Sequence, residues 1–286
     1  MHQDYVIRFS KDSGLALYDI FLILACLSAL VIFDWFSKLR RMDPAANKFF
    51  YILGLVSIIA GAFSAMLFQS VYNWIASGFA EFEFRGMTFM GGLAGGAIAF
   101  IVGYNLFAKP EVRREFWKLA EIAPACVAFA HGVGRIGCFF GGCCYGVETD
   151  SFLGVQFPHL PNPVHPTMLY EAAFLFALFG LLYYFTKKDI RYSLAAYCIG
   201  YSVFRFLIEF LRGDPRGELV PTLSPSQALS VLLLLIGAGL LVLNRLRSTM
   251  PDKVKGILPV LFECQPAAEA GSAGAEKQAD GDGSDK

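Results

Sequence analysis

Residues 15–36 read LALYDIFLILACLSALVIFDWF, and this run decides the fold class. A helix needs about 20 predominantly apolar residues to cross the hydrocarbon core of a bilayer. The run has that length, which is too long for the apolar region of a cleavable signal peptide. Polar residues through Ser13 precede it, and it lacks a small-residue cleavage site. It therefore predicts a first transmembrane helix.

Segments of similar length and apolar character recur along the rest of the chain. The 286 residues are 56% hydrophobic, whereas soluble domains contain about 45–50% apolar residues. The sequence therefore predicts an all-α integral membrane protein with seven transmembrane helices. After residues 15–36, the predicted spans are 49–69, 87–107, 119–138, 167–186, 192–211 and 226–244.

Positive charge alternates between the loops that connect these spans. Residues 145–166, which follow the fourth span, contain neither Lys nor Arg. Because cytoplasmic loops carry the excess of Lys and Arg, the pattern predicts an N-terminus outside and a C-terminus in the cytoplasm. The basic residues follow the odd-numbered spans: Lys38, Arg40, Arg41 and Lys48; Lys109, Arg113, Arg114 and Lys118; Lys187, Lys188 and Arg191; Arg245, Arg247, Lys253 and Lys255.

The composition changes sharply near the C-terminus. Residues 265–286 (QPAAEAGSAGAEKQADGDGSDK) are small, polar and acidic, and such a segment cannot bury enough apolar surface to fold. We expect a seven-span membrane domain over residues 1–264, followed by a disordered acidic cytoplasmic tail over residues 265–286. The formal net charge is zero, so no basic field indicates nucleic acid as a partner; membrane lipids are the expected surroundings.

The sixth span carries charged residues in the stretch YSVFRFLIEFLRGDPRG, residues 201–217. Tyr201, Arg205, Glu209 and Arg212 have the spacing of one helix face. An ionisable group inside a bilayer costs several kcal/mol, so it indicates function by default. One interpretation is a structural ion pair between helices. The other is an anion site in which Arg205 or Arg212 contacts a phosphate through its planar guanidinium.

The fourth span ends in HGVGRIGCFFGGCCYG, residues 131–146, where His131, Arg135 and Cys138 share one helix face. The glycines of this stretch permit close backbone approach and exposed amide donors next to an anion. They also suit tight helix packing, which explains the glycines but leaves the arginine unexplained. Two arginines from two spans, Arg135 and Arg205, both toward the outer half of the bilayer, indicate a phospholipid headgroup site.

The fifth span begins with HPTMLYE, residues 165–171. Tyr170 is a candidate lipid contact, although interfacial tyrosines are also common structural residues. Glu171 lies just inside the predicted membrane and therefore needs a partner such as Arg135 or Arg205.

Three cysteines cluster after the fourth span: Cys138, Cys143 and Cys144. With His131 they suggest a zinc site, although the spacing is unusual for one. A disulfide from Cys138 to Cys143 or Cys144 suits the predicted outer face, and pairing of the two adjacent cysteines would be strained. A nucleophilic thiol activated by a neighbouring cation is the third alternative. The sequence does not choose among these, and we predict neither a metal nor a cofactor.

Several of these stretches together resemble the prolipoprotein diacylglyceryl transferase family, and the resemblance extends from about Leu17 to Leu246. LYDIF at 17–21 and MTFMGGLAGG at 87–96 fit the family more loosely. The blocks that carry the resemblance, in this order, are GRIGCFFGGCCYG (134–146), HPTMLYE (165–171), RFLIEFLRGDPRG (205–217) and LSPSQALS (223–230).

The resemblance implies an enzyme of the bacterial plasma (inner) membrane. Such enzymes move the diacylglyceryl group of phosphatidylglycerol onto the lipobox cysteine thiol of a prolipoprotein and release glycerol phosphate without a cofactor. Arg135 matches the essential arginine of the family signature and Gly146 its terminal glycine. Arg205 and Glu209 match the arginine and glutamate of the penultimate span, and Tyr18 and Tyr201 match implicated tyrosines.

Three positions depart from the family pattern. Met90 stands where the family usually has a histidine, Cys138 where it has an asparagine, and Cys143 where it has an acidic residue. His131 or Glu209 could serve as the base instead. The departures leave two alternatives open: a related lipid-modifying transferase with another acceptor, and a cysteine-based redox membrane protein on the same scaffold.

Overall fold

The computed structural model of the chain describes residues 5–8, 14–80, 82, 86–213 and 224–249. The predicted tail, residues 265–286, lies outside these residues, as does the predicted end of the membrane domain at residue 264. The chain divides into two units, Met1–Arg245 and Leu246–Lys286. Of the second unit, the structure describes only residues 246–249, which end the last helix.

Helices dominate the described residues, and a short hairpin precedes them. The hairpin consists of two antiparallel strands, β1 (Tyr5–Arg8) and β2 (Gly14–Ala16), which the sequence did not predict. The helices are α1 (Leu17–Leu39), α2 (Pro44–Ala76), α3 (Phe89–Phe107), α4 (Pro110–Arg114), α5 (Phe116–Phe140), α6 (Thr167–Lys187), α7 (Ser193–Ile208) and α8 (Pro225–Thr249).

Seven of these helices are long and apolar enough to cross a membrane, which confirms the predicted number of spans. The exception is α4, a five-residue helix between α3 and α5 that the sequence did not predict. The longest helix, α2, begins five residues before the predicted span at 49–69. Asp43 caps it by accepting backbone N–H bonds from Ala45 and Ala46, at 2.9 and 3.1 Å, and proline follows the cap.

The sixth span ends differently from the prediction. The α-helix α7 stops at Ile208, and a single 3₁₀ turn, Glu209–Leu211, follows it. Arg212 then adopts extended backbone geometry, with φ of −84° and ψ of 140°. The predicted helix face of four residues is therefore wrong at Arg212, because the helical register ends before that residue.

The core lies among α1, α5 and α6. Phe36, Ile122 and Leu182, one from each of these helices, are fully buried within one apolar cluster. Burying side chains of this size stabilises the fold of a helical bundle mainly through close packing when the surroundings are lipid. This core fixes the relative positions of the helices that carry the charged residues.

Small residues join α3 to α2. A Cβ added to Gly61 would lie 2.9 Å from the carbonyl oxygen of Gly92, and one added to Gly95 would lie 2.2 Å from the Cβ of Ser64. The two helices therefore approach as closely as their backbones allow. This contact confirms the helix-packing interpretation of the glycines in MTFMGGLAGG.

The basic loops meet on one face of the bundle. Arg40, after α1, forms an ion pair with Asp189, after α6. Lys118, near the start of α5, donates to the backbone oxygen of Arg41 at 3.3 Å, and Asn244, near the end of α8, donates to the oxygen of Arg191 at 3.0 Å. The loops predicted to be cytoplasmic thus share one side.

Candidate active site

A buried carboxylate joins three helices at the opposite end of the bundle from the basic loops. Glu171, in the first turns of α6, has no exposed surface. Its Oε1 atom lies 3.0 Å from Nη2 of Arg135 and accepts a hydrogen bond of 2.9 Å from the hydroxyl of Tyr201. Nε2 of His131 is 3.6 Å from the same oxygen. The prediction that Glu171 needs an arginine partner is confirmed, and the partner is Arg135.

Arg135 also contacts the histidine one helical turn before it. Its Nε donates a 3.2 Å hydrogen bond to Nε2 of His131. A ring nitrogen that accepts carries no proton, so this contact describes a neutral imidazole with its proton on Nδ1. The predicted shared face of His131 and Arg135 is confirmed, and the pair of contacts fixes the orientation of the guanidinium.

A second charged pair lies at the end of α7. Nη1 of Arg205 is 2.7 Å from Oε2 of Glu209, and both side chains are buried. Nη2 of Arg205 donates to the hydroxyl of Ser226 at 2.9 Å, while the hydroxyl of Ser224 donates to Oε1 of Glu209 at 2.8 Å. The prediction that Arg205 and Glu209 lie next to each other is confirmed. The two serine partners were not predicted.

The serines are placed by the cap of α8. The backbone N–H of Gln227 donates to Oγ of Ser224 at 3.2 Å, and the Ser224 N–H donates to Oε1 of Gln227 at 3.1 Å. This reciprocal pair is a capping box, with Pro225 at the first helical position. The sequence SPSQ at residues 224–227 is typical of such a cap. The cap holds the start of α8 next to the charged pair at the end of α7.

The two charged groups interact with each other. Arg205 lies close enough to Glu171 and His131 to act on both electrostatically. Among the residues that the structure describes, Oε2 of Glu171 is a buried oxygen without a hydrogen-bond partner. The site therefore offers fixed cationic groups beside an unsatisfied acceptor, an arrangement suited to an anion that also carries hydroxyl groups.

Two loops close over this end of the bundle. Gly146 pairs with Arg212 as an isolated antiparallel bridge, and Val147 N–H donates to the oxygen of Leu211 at 2.9 Å. Gly146 N–H also donates to the oxygen of His165 at 2.8 Å. The bridge brings Arg212 to the site through backbone pairing instead of through a helix face.

We expect Gly146→Ala to lower the stability of this junction and the activity that depends on it. A Cβ at position 146 would lie 2.5 Å from the oxygen of Leu211 and 2.8 Å from Cγ2 of Thr167. Overpacking of this kind costs about 1–3 kcal/mol, which a thermal unfolding series in detergent measures. Gly134→Ala is the matched control, because a Cβ there meets nothing within 4 Å. Equal melting temperatures for the two variants would contradict the prediction.

A family model described as prolipoprotein diacylglyceryl transferase matches residues 5–243 of the chain. The chain belongs to this transferase family. It is 32% identical over 238 residues to the phosphatidylglycerol–prolipoprotein diacylglyceryl transferase of Clostridium tetani, covering 80% of this chain and 93% of that protein. It is 39% identical over 170 residues to transferase 2 of Clostridium perfringens, covering 57% and 64%. The Xanthomonas oryzae transferase is 32% identical, covering 71% and 77%.

The three cysteines that follow one another closely at the end of α5 and after it converge in space. The Sγ atoms of Cys138, Cys143 and Cys144 all lie within 4.8 Å of one another. None of the three is in a disulfide, so a pairing of Cys138 is not formed in this structure. His131, which the sequence suggested as a fourth member, is instead held by Glu171 and Arg135.

The thiols of this group differ in acidity. Hydrogen bonds from Cys138 and Cys143, with the nearby guanidinium groups of Arg135 and Arg212, lower the pKa of Cys144 below its ordinary value. The same hydrogen bonding to Cys138 and Cys144, together with burial, raises the pKa of Cys143. Of these two adjacent residues, Cys144 therefore has the more acidic thiol.

Three further positions singled out in the sequence lie on different helices: Tyr18 on α1, Tyr170 on α6 and Met90 on α3. Tyr18 of α1 packs against the turn, and its Cδ2 would lie 3.4 Å from a Cβ at Gly141. The hydroxyl of Tyr170 lies 3.2 Å from Nδ1 of His165, so it is engaged in a side-chain contact at the start of α6. Met90 is 48% exposed on α3, the helix that packs on α2.

Proposed function

We propose that the chain transfers the diacylglyceryl group of phosphatidylglycerol to the lipobox cysteine thiol of a prolipoprotein. The products are a thioether and glycerol phosphate. The observation that carries the proposal is the buried cationic group around Arg135 and Arg205, at the end of a seven-span bundle. The relatives in Clostridium tetani and Xanthomonas oryzae bear the corresponding name.

Arg135 and Arg205 contact the phosphate in this proposal. A phosphate that leaves with an electron pair develops negative charge, and preorganised guanidinium donors in a water-poor site stabilise that charge. Glu171 orients Arg135, and Glu209 orients Arg205, so each arginine is fixed before the substrate binds. Tyr201 supports Glu171 through its hydroxyl. Arg212 joins them from the loop that pairs with Gly146.

The acceptor on Glu171 supports phosphatidylglycerol as the donor lipid. Oε2 of Glu171 is buried beside Arg135, and a headgroup hydroxyl can donate to it. Phosphatidylglycerol supplies both the anionic phosphate and the glycerol hydroxyls. Nε2 of His131 accepts a hydrogen bond from Nε of Arg135, so in this proposal His131 helps to orient the arginine that contacts the phosphate.

The proposal places the site toward the outer face of the bacterial inner membrane, with the N-terminus outside. The basic loops, gathered on the opposite face, support this orientation. Single cysteines introduced at Ser151 and Lys188, in a chain whose own cysteines are replaced, test it. In intact cells a membrane-impermeant maleimide should label position 151 and leave position 188 unlabelled, and the reverse result would invert the topology.

The reaction itself is tested with purified protein, phosphatidylglycerol and a lipobox peptide. Mass spectrometry should detect the thioether peptide and free glycerol phosphate in equal amounts. A peptide with serine in place of the cysteine is the control. Headgroup release without a thioether would favour a related transferase with another acceptor, whereas no turnover of the lipid at all would reject the proposed function.

We expect Met90→His to leave the transfer rate nearly unchanged. Met90 is about half exposed on α3. Because its side chain is not packed against the buried charged residues, we expect its replacement to change the activation free energy by less than about 0.5 kcal/mol, which corresponds to about a twofold change in rate. Initial rates of thioether formation measure this, with Met87→His, at an exposed position shortly before α3, as control. A large gain in the Met90 variant alone would mean that position 90 reaches the reacting atoms.

A further inference from the structure

The three thiols converge because the backbone after α5 makes a left-handed turn. Cys138 comes from the last turn of α5, and Gly142 and Cys144 follow with φ of +60° and +66°. A left-handed conformation is uncommon for a residue other than glycine, and it costs about 1 kcal/mol or more. In this backbone conformation, the side chains of the adjacent residues Cys143 and Cys144 both lie close to Cys138. The backbone turn therefore brings the three sulfurs together although the spacing of the cysteines along the chain is unusual for a metal site.

The spacing of the sulfurs suits a metal ion. Zinc binds thiolate sulfur at about 2.3 Å, so sulfurs on one tetrahedral ion stand about 3.8 Å apart. The three Sγ atoms lie within 4.8 Å of one another, which is close to that spacing. A disulfide would use two of the three thiols and leave the third without a role.

The surroundings suit the charge of such a complex. Three thiolates on Zn²⁺ carry a net charge of about −1. Arg212 hydrogen-bonds Cys144, and Arg135 acts on it electrostatically. Two fixed guanidinium groups therefore offset the negative charge that a three-thiolate complex would hold in this partly buried position.

The group also leaves one coordination position for a substrate. Among the described residues, the three cysteines form a group that includes no histidine, aspartate or glutamate. Three protein ligands with an open fourth position are typical of catalytic zinc, whereas structural zinc has four. We propose that Cys138, Cys143 and Cys144 bind Zn²⁺, whose fourth position takes the acceptor thiol.

This inference rests on the proposed function, because the acceptor there is a thiol. The lipobox thiol binds the ion and releases its proton to solvent, leaving a zinc-bound thiolate. That sulfur attacks the diacylglyceryl carbon that carries the phosphate oxygen. The new C–S bond forms as the C–O bond breaks, and glycerol phosphate departs with the electron pair beside Arg135. The neutral thioether binds zinc weakly and dissociates, and nothing is oxidised or reduced.

The metal site is tested on purified full-length protein by elemental analysis. We expect about one zinc per chain, lost in Cys138→Ser and Cys143→Ser. Cys198→Ser is the control, since Cys198 is a buried thiol on α7 outside the group, and it should retain the metal. Copper in place of zinc, a disulfide within the group found by differential alkylation, or equal zinc in all variants would overturn the inference.

The open position is tested with Co²⁺ in place of zinc. The thiolate-to-cobalt charge-transfer bands should change when a lipobox peptide is added and stay unchanged with the serine peptide. This readout separates the inference from the proposed function. Thioether formation that persists without metal and in the presence of a chelator would reject the zinc site alone. Cobalt bands that respond to the peptide, without thioether formation from phosphatidylglycerol, would reject the proposed function alone.

Discussion

We expect Arg135→Lys to lower the rate of thioether formation by about 100- to 1,000-fold, the loss that follows when a preorganised donor to a developing anion is removed. Nε of Arg135 donates a hydrogen bond to His131, and Nη2 forms an ion pair with Glu171. These two contacts fix the orientation of the guanidinium plane. A lysine ammonium is a point charge on a flexible stem and cannot make the planar set of contacts. Initial rates with phosphatidylglycerol and a lipobox peptide measure the effect.

The control for this variant is Arg113→Lys. Arg113 belongs to α4, and it donates to the backbone oxygens of Ala108 and Asn105 at the basic end of the bundle. Its replacement should leave the rate within about twofold, a change in activation free energy of less than about 0.5 kcal/mol, because Arg113 contacts none of the residues around Glu171. If Arg135→Lys also keeps nearly the full rate, the phosphate is bound elsewhere in the protein.

Replacing Glu171 with alanine has the largest expected effect on stability. The carboxylate is fully buried and pairs with Arg135, His131 and Tyr201. Removing one partner of a buried ion pair leaves an uncompensated charge and costs about 3–5 kcal/mol. Glu171→Gln removes the same charge but keeps the shape and the acceptor for the Tyr201 hydroxyl, so we expect a smaller loss than in Glu171→Ala. Thermal unfolding in detergent should rank the two variants in this order.

Glu148→Ala is the matched control for Glu171→Ala. Glu148 lies on the exposed loop after α5 and accepts a hydrogen bond from Asn162. Its loss should change the free energy of unfolding by about 0.5 kcal/mol or less. A Glu171→Ala protein that melts at the wild-type temperature would show that Arg135 is compensated by another anion.

The sequence was sufficient where local rules determine the structure. Spans of about 20 apolar residues are required by the thickness of the bilayer, so their number and approximate bounds followed from composition. The contacts of Arg135 with His131 and of Arg205 with Glu209 followed from helical spacing. The pairing of Glu171 followed from the cost of a buried charge, which requires a partner.

The remaining features depend on contacts between distant segments. The serines on Arg205 and Glu209 come from a different helix, and their positions depend on where α8 begins. Arg212 left the predicted helix face because α7 ends at Ile208 and the next residues pair with the loop at Gly146. The convergence of the three thiols depends on left-handed backbone at Gly142 and Cys144, which spacing along the chain does not reveal.

The capping box of α8 has a consequence for biosynthesis. Arg205 lies on α7 and Glu209 in the 3₁₀ turn that follows it, whereas Ser226 and Ser224, which bind them, lie at the start of α8. Because a chain is made from its N-terminus, the charged pair is synthesised before the serines that bind it. A nascent chain that stops short of Ser224 already carries Arg135 and Glu171, yet its second arginine lacks half of its contacts. The contacts of this charged pair are therefore complete only after the last helix has been made.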